Sequence, residues 1–379
     1  MSSTRARREI VAAGERLGFR RVRITPTVAL ERGAFLAAWL ADGRAGDMRF
    51  LLHHGKARLD PRTRYPWARS VVSAWAPYRP PPPPRCDWRR ELRGRIAAYA
   101  RGADYHEVLG DRLQRWSSTV GDLLPGVEVR GFVDTGAVLE HEWALRAGVG
   151  WTGKHTLTLS EEEGSYGFLA ELLVGLELPA DEPVPERCGS CTRCIDACPT
   201  GAIEPGYRLD PRRCISYLTI EHRGAIPREL RAAIGEWLFG CDLCQTACPW
   251  NRDAAGPPDD ELAPDLREVL ALDEDGFAAR YGASAVRRTG RIGLARNAAV
   301  VLGNTGNPAA VAPLARSLSG DGAGLVRAHA AWALGRLGGR AGEARTALER
   351  ARRDPDDQVR AEVAHALAAC DGVTPLPEE

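Results

Sequence analysis

The apolar positions of the first 180 residues change period several times. Ser70–Pro77 (SVVSAWAP) and Val127–Val133 (VEVRGFV) are short bounded apolar runs that predict strands. His155–Leu159 and Tyr166–Val174 predict two more. Arg89–Arg101 and Tyr105–Leu124 carry helical spacing, and Glu9–Phe19 reads as an amphipathic helix. An apolar helix is expected over Ala137–Ala147. The mixture predicts an α+β sandwich over residues 1–180. Pro80–Pro84 is a five-proline run that predicts a stiff extended loop.

From Ser284 the pattern becomes wholly helical and repeats. Val301-Leu302-Gly303, Ala333-Leu334-Gly335 and Ala366-Leu367-Ala368 recur at intervals of 32 and 33 residues. Each closes an Ala-rich helix with an arginine in its first half: Arg296, Arg327 and Arg360. This predicts a HEAT-like repeat over 284–379 in preference to a plain helical cap. Such units bury a face only by stacking, which makes a curved surface. Between the halves, 181–255 is cysteine-rich, and 256–283 reads as a linker (GPPDDELAP) followed by a helix.

Composition adds little but excludes much. With 379 residues the chain has room for two or three domains, and a net charge of +1 excludes a bulk polyelectrolyte. Lys56 and Lys154 are the only lysines, so any anion-binding surface must be made of guanidinium groups. No run of 18 apolar residues exists, so no membrane span is expected. Arg7-Arg8 resembles the start of an export signal, but Glu9, Glu15 and Arg16 follow where an apolar stretch would be needed. A cytoplasmic protein is expected, in a compartment that keeps thiols reduced.

Chemistry concentrates in the cysteines. Eight of ten lie between Cys188 and Cys248. The first block is Cys188-x2-Cys191-x2-Cys194-x3-Cys198-Pro199 and the second Cys241-x2-Cys244-x3-Cys248-Pro249, with Cys214 between them. Two-residue gaps wrap three thiolates around three corners of an iron–sulfur cube, and the Cys before Pro serves the other cluster. Cys188, Cys191, Cys194 and Cys248 are then ligands of one [4Fe–4S] cluster. Cys198, Cys214, Cys241 and Cys244 are ligands of a second. Zinc knuckles require no Cys-Pro ending twice over, and disulfide frameworks belong to secreted chains. Cys86 and Cys370 read as ordinary thiols.

Other motifs leave alternatives open. Gly148-x4-Gly153-Lys154 nearly spells a phosphate-binding loop, but His155 replaces the Ser or Thr that holds magnesium, and a strand follows instead of a helix. The turn either cradles a cofactor or simply joins helix to strand. Asp104-Tyr105-His106 nearly matches Asp-x-His-x-x-Gly, a corrinoid lower-ligand pattern, with Gly110 one residue late. Asp134 follows a strand and precedes a helix, the place of an N-cap or of a general acid whose pKa burial has raised. Val286–Asn297 holds Arg287, Arg288, Arg291 and Arg296 with no acid among them. It is either a grip for a phosphate backbone or a solvated helix face.

Taken together, Tyr99–His106 (YARGADYH), Val133-Asp134-Thr135, Ala147–Thr156 (AGVGWTGKHT), both cysteine blocks, Cys214–Glu221 (CISYLTIE), Gly240–Asn251 (GCDLCQTACPWN) and Arg296–Gly303 (RNAAVVLG) closely resemble the epoxyqueuosine reductase family, in its order and over most of the chain. The resemblance implies a nitroreductase-like core that binds cobalamin with its lower base detached, a ferredoxin-like insert with two clusters, and helical repeats that help hold tRNA. It implies reduction of epoxyqueuosine to queuosine at the wobble position of tRNA, with Asp134 as proton donor. It places Arg58, Asp134, Lys154, Ser216 and Asp242 near the corrinoid. Tyr105, His106 and the Arg287–Asn297 stretch are implied substrate contacts, with Asn297 beside the four arginines. Ala103 stands where relatives often carry a basic residue. An unidentified electron donor and a monomer are expected. A ferredoxin-like carrier and a dehalogenase-like enzyme are the competing readings. The carrier would lack a corrinoid and RNA affinity, and the dehalogenase leaves the repeat without a task.

Overall fold

Strand-forming segments of the first 180 residues assemble one antiparallel sheet in the computed structural model, which describes residues 1–82, 86–252, 256–257, 259, 262–338 and 342–371. β1 (Arg20–Pro26), β2 (Ser70–Pro77), β3 (Val129–Phe132) and β4 (Gly167–Val174) lie in the order β1-β2-β4-β3. The pleat sorts side chains with period two. Val72, Ala74, Ala170, Leu172 and Val174 face one apolar cluster, packed by α1 (Ser3–Arg16) and α2 (Tyr105–Leu123) through Ile10, Leu109, Leu113 and Trp116. Val71, Trp75, Leu169 and Leu173 face the other side, where α3 (Glu140–Ala147) contributes Trp143, Ala144 and Ala147. Glu171 lies on this second face, opposite Ser73 of β2 and Phe132 of β3. Trp116 donates its indole N–H to the Ile10 carbonyl at 3.0 Å. Gly14 is required beside it, since a Cβ there would lie 2.6 Å from the indole.

The chain divides into two compact units, each made of separate stretches. The first comprises 1–80, 102–212 and 242–257, and the second 81–101, 213–241 and 258–379. The cysteine-rich stretch 181–255 therefore contributes residues to both units.

In the second unit, α4 (Ile215–Ile220) precedes the helices of the tail: α5 (Gly290–Thr305), α6 (Val311–Gly320), α7 (Gly324–Leu337), α8 (Gly342–Arg350) and α9 (Asp357–Cys370). The repeated glycine has a packing cause. A Cβ on Gly303 would lie 2.9 Å from the Ala333 Cα, and one on Gly335 would lie 2.8 Å from the Ala366 Cα. Each repeat presses its helix end against the next, and the last described repeat carries Ala368 in that place.

Several expected elements differ. Over Arg89–Arg101 only Trp88–Glu91 is α-helical; Arg95–Ile96 then pairs in parallel with Trp237–Phe239, and Ala98–Ala100 is a 3-10 turn. The helix stops at Leu92, which takes the left-handed conformation (φ +58°), and Gly94 then lets the chain pack close to Leu266, where a Cβ would lie 2.6 Å from that side chain. Within His155–Leu159 only Thr158–Leu159 is strand, paired with Trp151–Thr152. The apolar helix expected from Ala137 begins at Glu140, with Leu139 at its N-cap. Residues 83–84 of the proline run and 258, 260 and 261 of the linker lie outside the described residues.

Candidate active site and cluster cavity

The first cysteine block meets the end of the second within the first unit. Cys188, Cys191, Cys194 and Cys248 line one cavity of about 380 Å³, together with Lys154, His155, Leu159, Arg187, Pro249, Trp250 and Arg252. A single water occupies about 30 Å³ in the liquid, so the space suits a larger inorganic body. Among the described residues no group of three or more His, Cys, Asp or Glu is placed to hold one metal ion. All ten cysteines are free thiols. This donor set fits a polynuclear cluster better than zinc. Cys198 and Cys244 belong to the first unit, and Cys214 and Cys241 to the second.

Buried polar contacts fix the cavity. Asn251 donates to the Ser165 hydroxyl at 2.9 Å and the Gln245 carbonyl at 2.7 Å, and accepts the Ser165 N–H at 2.8 Å. These bonds clamp both sides of Cys248 to the strand-end loop at 160–165. Lys154 donates to the carbonyls of Gly189 (2.6 Å) and Cys191 (3.0 Å), bracing the first block. His155 is buried, and dehydration pushes its pKa down to about 4.

Asp134 stands at the other chemical centre. It is not an N-cap: its φ is +50°, in the left-handed region, and α3 starts six residues later. Its side chain is 59% exposed. Oδ2 accepts the Tyr105 hydroxyl and lies 3.5 Å from His106 Nε2. Tyr105 is held by stacking on Phe168 at 4.2 Å. Asp104 caps α2 by accepting the His106 N–H at 3.0 Å, and its Oδ1 also lies 2.8 Å from His106 Nδ1. His106 therefore sits between two carboxylates. Asp134 and then Asp104 raise its pKa. Burial raises the pKa of Asp134, but hydrogen bonds from His106 and Tyr105 and the charges of His106 and His141 outweigh it, and the net shift is downward. The raised pKa expected for an isolated acid is thus not found. The proton rests on His106, because imidazole is the better base of the pair.

Two carboxyls behind Asp134 escaped the sequence reading. Glu140 accepts the main-chain N–H of Asp134 at 2.5 Å. Burial and the charge of Asp134 push its pKa up to about 8. Glu171 is fully buried, and burial and Glu140 push it well above the ordinary range. The signal was present: Glu171 is a lone acid in the apolar run GFLAELLV.

The remaining candidates separate. Arg58 is buried and donates to the carbonyls of His53 (3.3 Å) and Phe50 (3.0 Å). Asp242 is buried, and Ser216 lies half-buried on α4 in the second unit. In the glycine-rich turn, glycines are required by close packing, since a Cβ on Gly148 or Gly150 would lie 2.2 Å or 2.1 Å from the carbonyl oxygens of Glu182 and Leu159. The arginine run is corrected in part. Arg296 and Asn297 are fully buried. Arg296 donates to the carbonyls of Leu218, His222 and Gly224, and Asn297 to those of Thr219 and Leu238. They brace the second unit and offer no surface grip. Arg291 pairs with Asp321 at 2.7 Å. Arg288 is exposed and forms a two-point contact with Glu221, and Arg287 is exposed.

Comparison with known proteins agrees with this geometry. Family models match for "Epoxyqueuosine reductase QueG, DUF1730" over 58–135, "4Fe-4S double cluster binding domain" over 187–251, and "HEAT repeats" over 283–368. The epoxyqueuosine reductase of Escherichia coli (strain K12) is 40% identical over 329 residues, 85% of this chain and 86% of that protein. That of Xanthomonas campestris pv. campestris is 41% identical over 330 residues, 85% and 93%. A crystal structure of epoxyqueuosine reductase with an epoxyqueuosine-modified tRNA-Tyr stem loop matches with a TM-score of 0.91 at 28% identity, covering 98% of this chain and all (100%) of that one. The Bacillus subtilis enzyme, solved with its Asp134 catalytic loop swung out of the active site, matches with a TM-score of 0.89 at 26% identity, covering 97% and 100%. With these identities and this coverage, the chain belongs to the epoxyqueuosine reductase family of oxidoreductases.

Proposed function

We propose that this chain removes the epoxide oxygen of epoxyqueuosine at the wobble position of tRNA, using electrons passed through two [4Fe–4S] clusters to a base-off cobalamin. One observation carries the reading. A four-thiol cavity and the outward-facing Asp134–Tyr105–His106 cluster occur in the same unit. The relative solved with a modified stem loop supports the substrate.

The epoxide must accept two electrons and two protons to become an alkene and water. When bound, a reduced corrinoid supplies the strong nucleophile or electron donor that the step requires. His106 would not hold the corrinoid, since both its ring nitrogens face carboxylates. Arg58, Asp134, Lys154, Ser216 and Asp242 remain its candidate contacts, on the resemblance alone. Lys154 and Arg58 act there by holding main chain.

His106 supplies the proton, and Asp134 passes it to the departing oxygen. Tyr105 orients the carboxylate. Cys188, Cys191, Cys194 and Cys248 hold the first cluster, and Cys198, Cys214, Cys241 and Cys244 the second. We assign residues 1–180 to a nitroreductase-like corrinoid core, 181–255 to the clusters and 284–379 to tRNA, joined by 256–283. The exposed Arg287 and Arg288, with Arg291 beside them, are the assigned backbone contacts. No helix among the described residues is long and apolar enough to cross a membrane. A monomer working in the cytoplasm with a separate electron donor completes the reading.

The test is direct. Anaerobic protein with full iron, cobalamin, a chemical reductant and epoxyqueuosine-bearing tRNA should yield queuosine, read by nucleoside mass. Full clusters without conversion would leave only an electron carrier.

A further inference from the structure

Among the described residues that line the cavity of the first cysteine set, His155 carries a buried polar atom without a hydrogen-bond partner. His155 is 3% exposed and lines that cavity. Its Nδ1 accepts the main-chain N–H of Leu157 at 3.2 Å. The ring is therefore neutral, with its proton on Nε2. Nε2 is buried and meets no acceptor among the described residues. Buried donors are almost always satisfied, and an orphan implies a partner that the protein itself does not supply.

Neighbouring residues fix the ring. A Cβ at Gly153 would lie 2.8 Å from the His155 Cε1, so only glycine admits the imidazole there. Lys154 is anchored to the loop of Cys188 and Cys191. The hairpin thus carries the ring and the cysteine loop as one piece.

We infer that the Nε2–H of His155 donates a hydrogen bond to a sulfur of the cluster held by Cys188, Cys191, Cys194 and Cys248, and thereby raises that cluster's reduction potential. Reduction adds negative charge to the cube, so a donor aimed at sulfur favours the reduced form. As an outer partner, His155 is a positioning and tuning residue, not a ligand. The inference rests on the proposed ligand set.

The experiment compares His155→Phe with His155→Gln in the full chain. Phe keeps the bulk and removes the donor, while the Gln amide places an N–H near the position of Nε2. Iron and sulfide content is measured first, then an EPR-monitored redox titration. His155→Phe should move one midpoint to lower potential and leave the other in place, and His155→Gln should restore it in part. Unchanged midpoints in His155→Phe overturn the inference. If that variant does not assemble its clusters, pulsed EPR on reduced wild-type protein labelled with 15N-histidine decides. Coupling to a histidine nitrogen that His155→Gln abolishes supports the bond, and its absence overturns it. A wild-type protein without iron would instead defeat the ligand assignment.

Discussion

Glu140 holds Asp134 by its main chain: the Glu140 carboxyl accepts the Asp134 N–H at 2.5 Å, while the Asp134 side chain turns outward to Tyr105 and His106. Asp134 occupies the left-handed region, which costs an L-residue about 1–2 kcal/mol. The bond to Glu140 offsets part of that cost and orients the acid.

Glu140 makes stability depend on pH. Its folded pKa, about 8, lies above its ordinary 4.5. The folded state therefore binds more protons than the unfolded one between those values, and stability falls as pH rises through that window. Glu171 behind it adds to the same slope. The nearby charges of Asp134 and His106 act on Glu140 itself. Glu140→Gln still accepts the Asp134 N–H and cannot ionise. It should flatten the decline and gain on the order of 2 kcal/mol over wild type near pH 8, read by denaturant titration at several pH values. Parallel curves for the two proteins would refute the assignment.

Asp134→Asn should keep iron, sulfide and cobalamin content while turnover falls by roughly 10²–10⁴. Wild-type turnover would remove Asp134 from the mechanism.

His106 sets the alkaline limb of activity. Its pKa is raised from 6.5 and that of Asp134 is lowered from 3.8. The His106 contribution is complete below 6.5 and is lost as pH rises through the raised value. The Asp134 contribution is present above 3.8 and lost as pH falls through the lowered one. Turnover should decline above neutral pH, and His106→Gln should be slower with that decline absent. A wild-type profile in the variant would show that the histidine holds no catalytic proton.

Deleting residues 284–379 is not a clean test of tRNA binding, because Arg296 and Asn297 brace main chain at Leu218 and Leu238 inside the second unit. Arg287→Glu is the sharper probe. It should weaken tRNA affinity and reduce the salt slope by about one, with the fold preserved. Unchanged affinity and slope would move the RNA contact elsewhere.

Glu362 pairs with Arg231 at 2.8 Å, the two side chains being 6% and 2% exposed. Glu362→Ala leaves that guanidinium buried and uncompensated, and should cost about 3–5 kcal/mol. Little change in the denaturation midpoint would mean that Arg231 finds other partners.

Local signals were readable where local chemistry is sufficient. The apolar runs at Ser70–Pro77 and Tyr166–Val174 formed strands as expected, because helices cover both faces of the sheet and nearly every position of each strand is buried. Cysteine spacing foretold that Cys188, Cys191, Cys194 and Cys248 gather around one space. The repeat spacing foretold the stacked helices, and glycine against alanine explains it. The arginine run misled because composition carries no burial: Arg296 and Asn297 look like a basic surface in the sequence and are interior braces in the fold. Glu140 carried no motif, and the positions of Glu171 in an apolar run and of His155 after Lys154 did not reveal their roles, since these depend on what surrounds each side chain.

The covalent order of this chain specified which groups are present and how many can reach a cluster by short loops, because ligand spacing and side-chain period are properties of neighbouring residues. Folding specified the protonation of those groups. Asp134, Glu140 and His106 titrate as they do because residues distant along the chain change the water and charge around each one. That environment exists once β4, α2 and α3 are packed together.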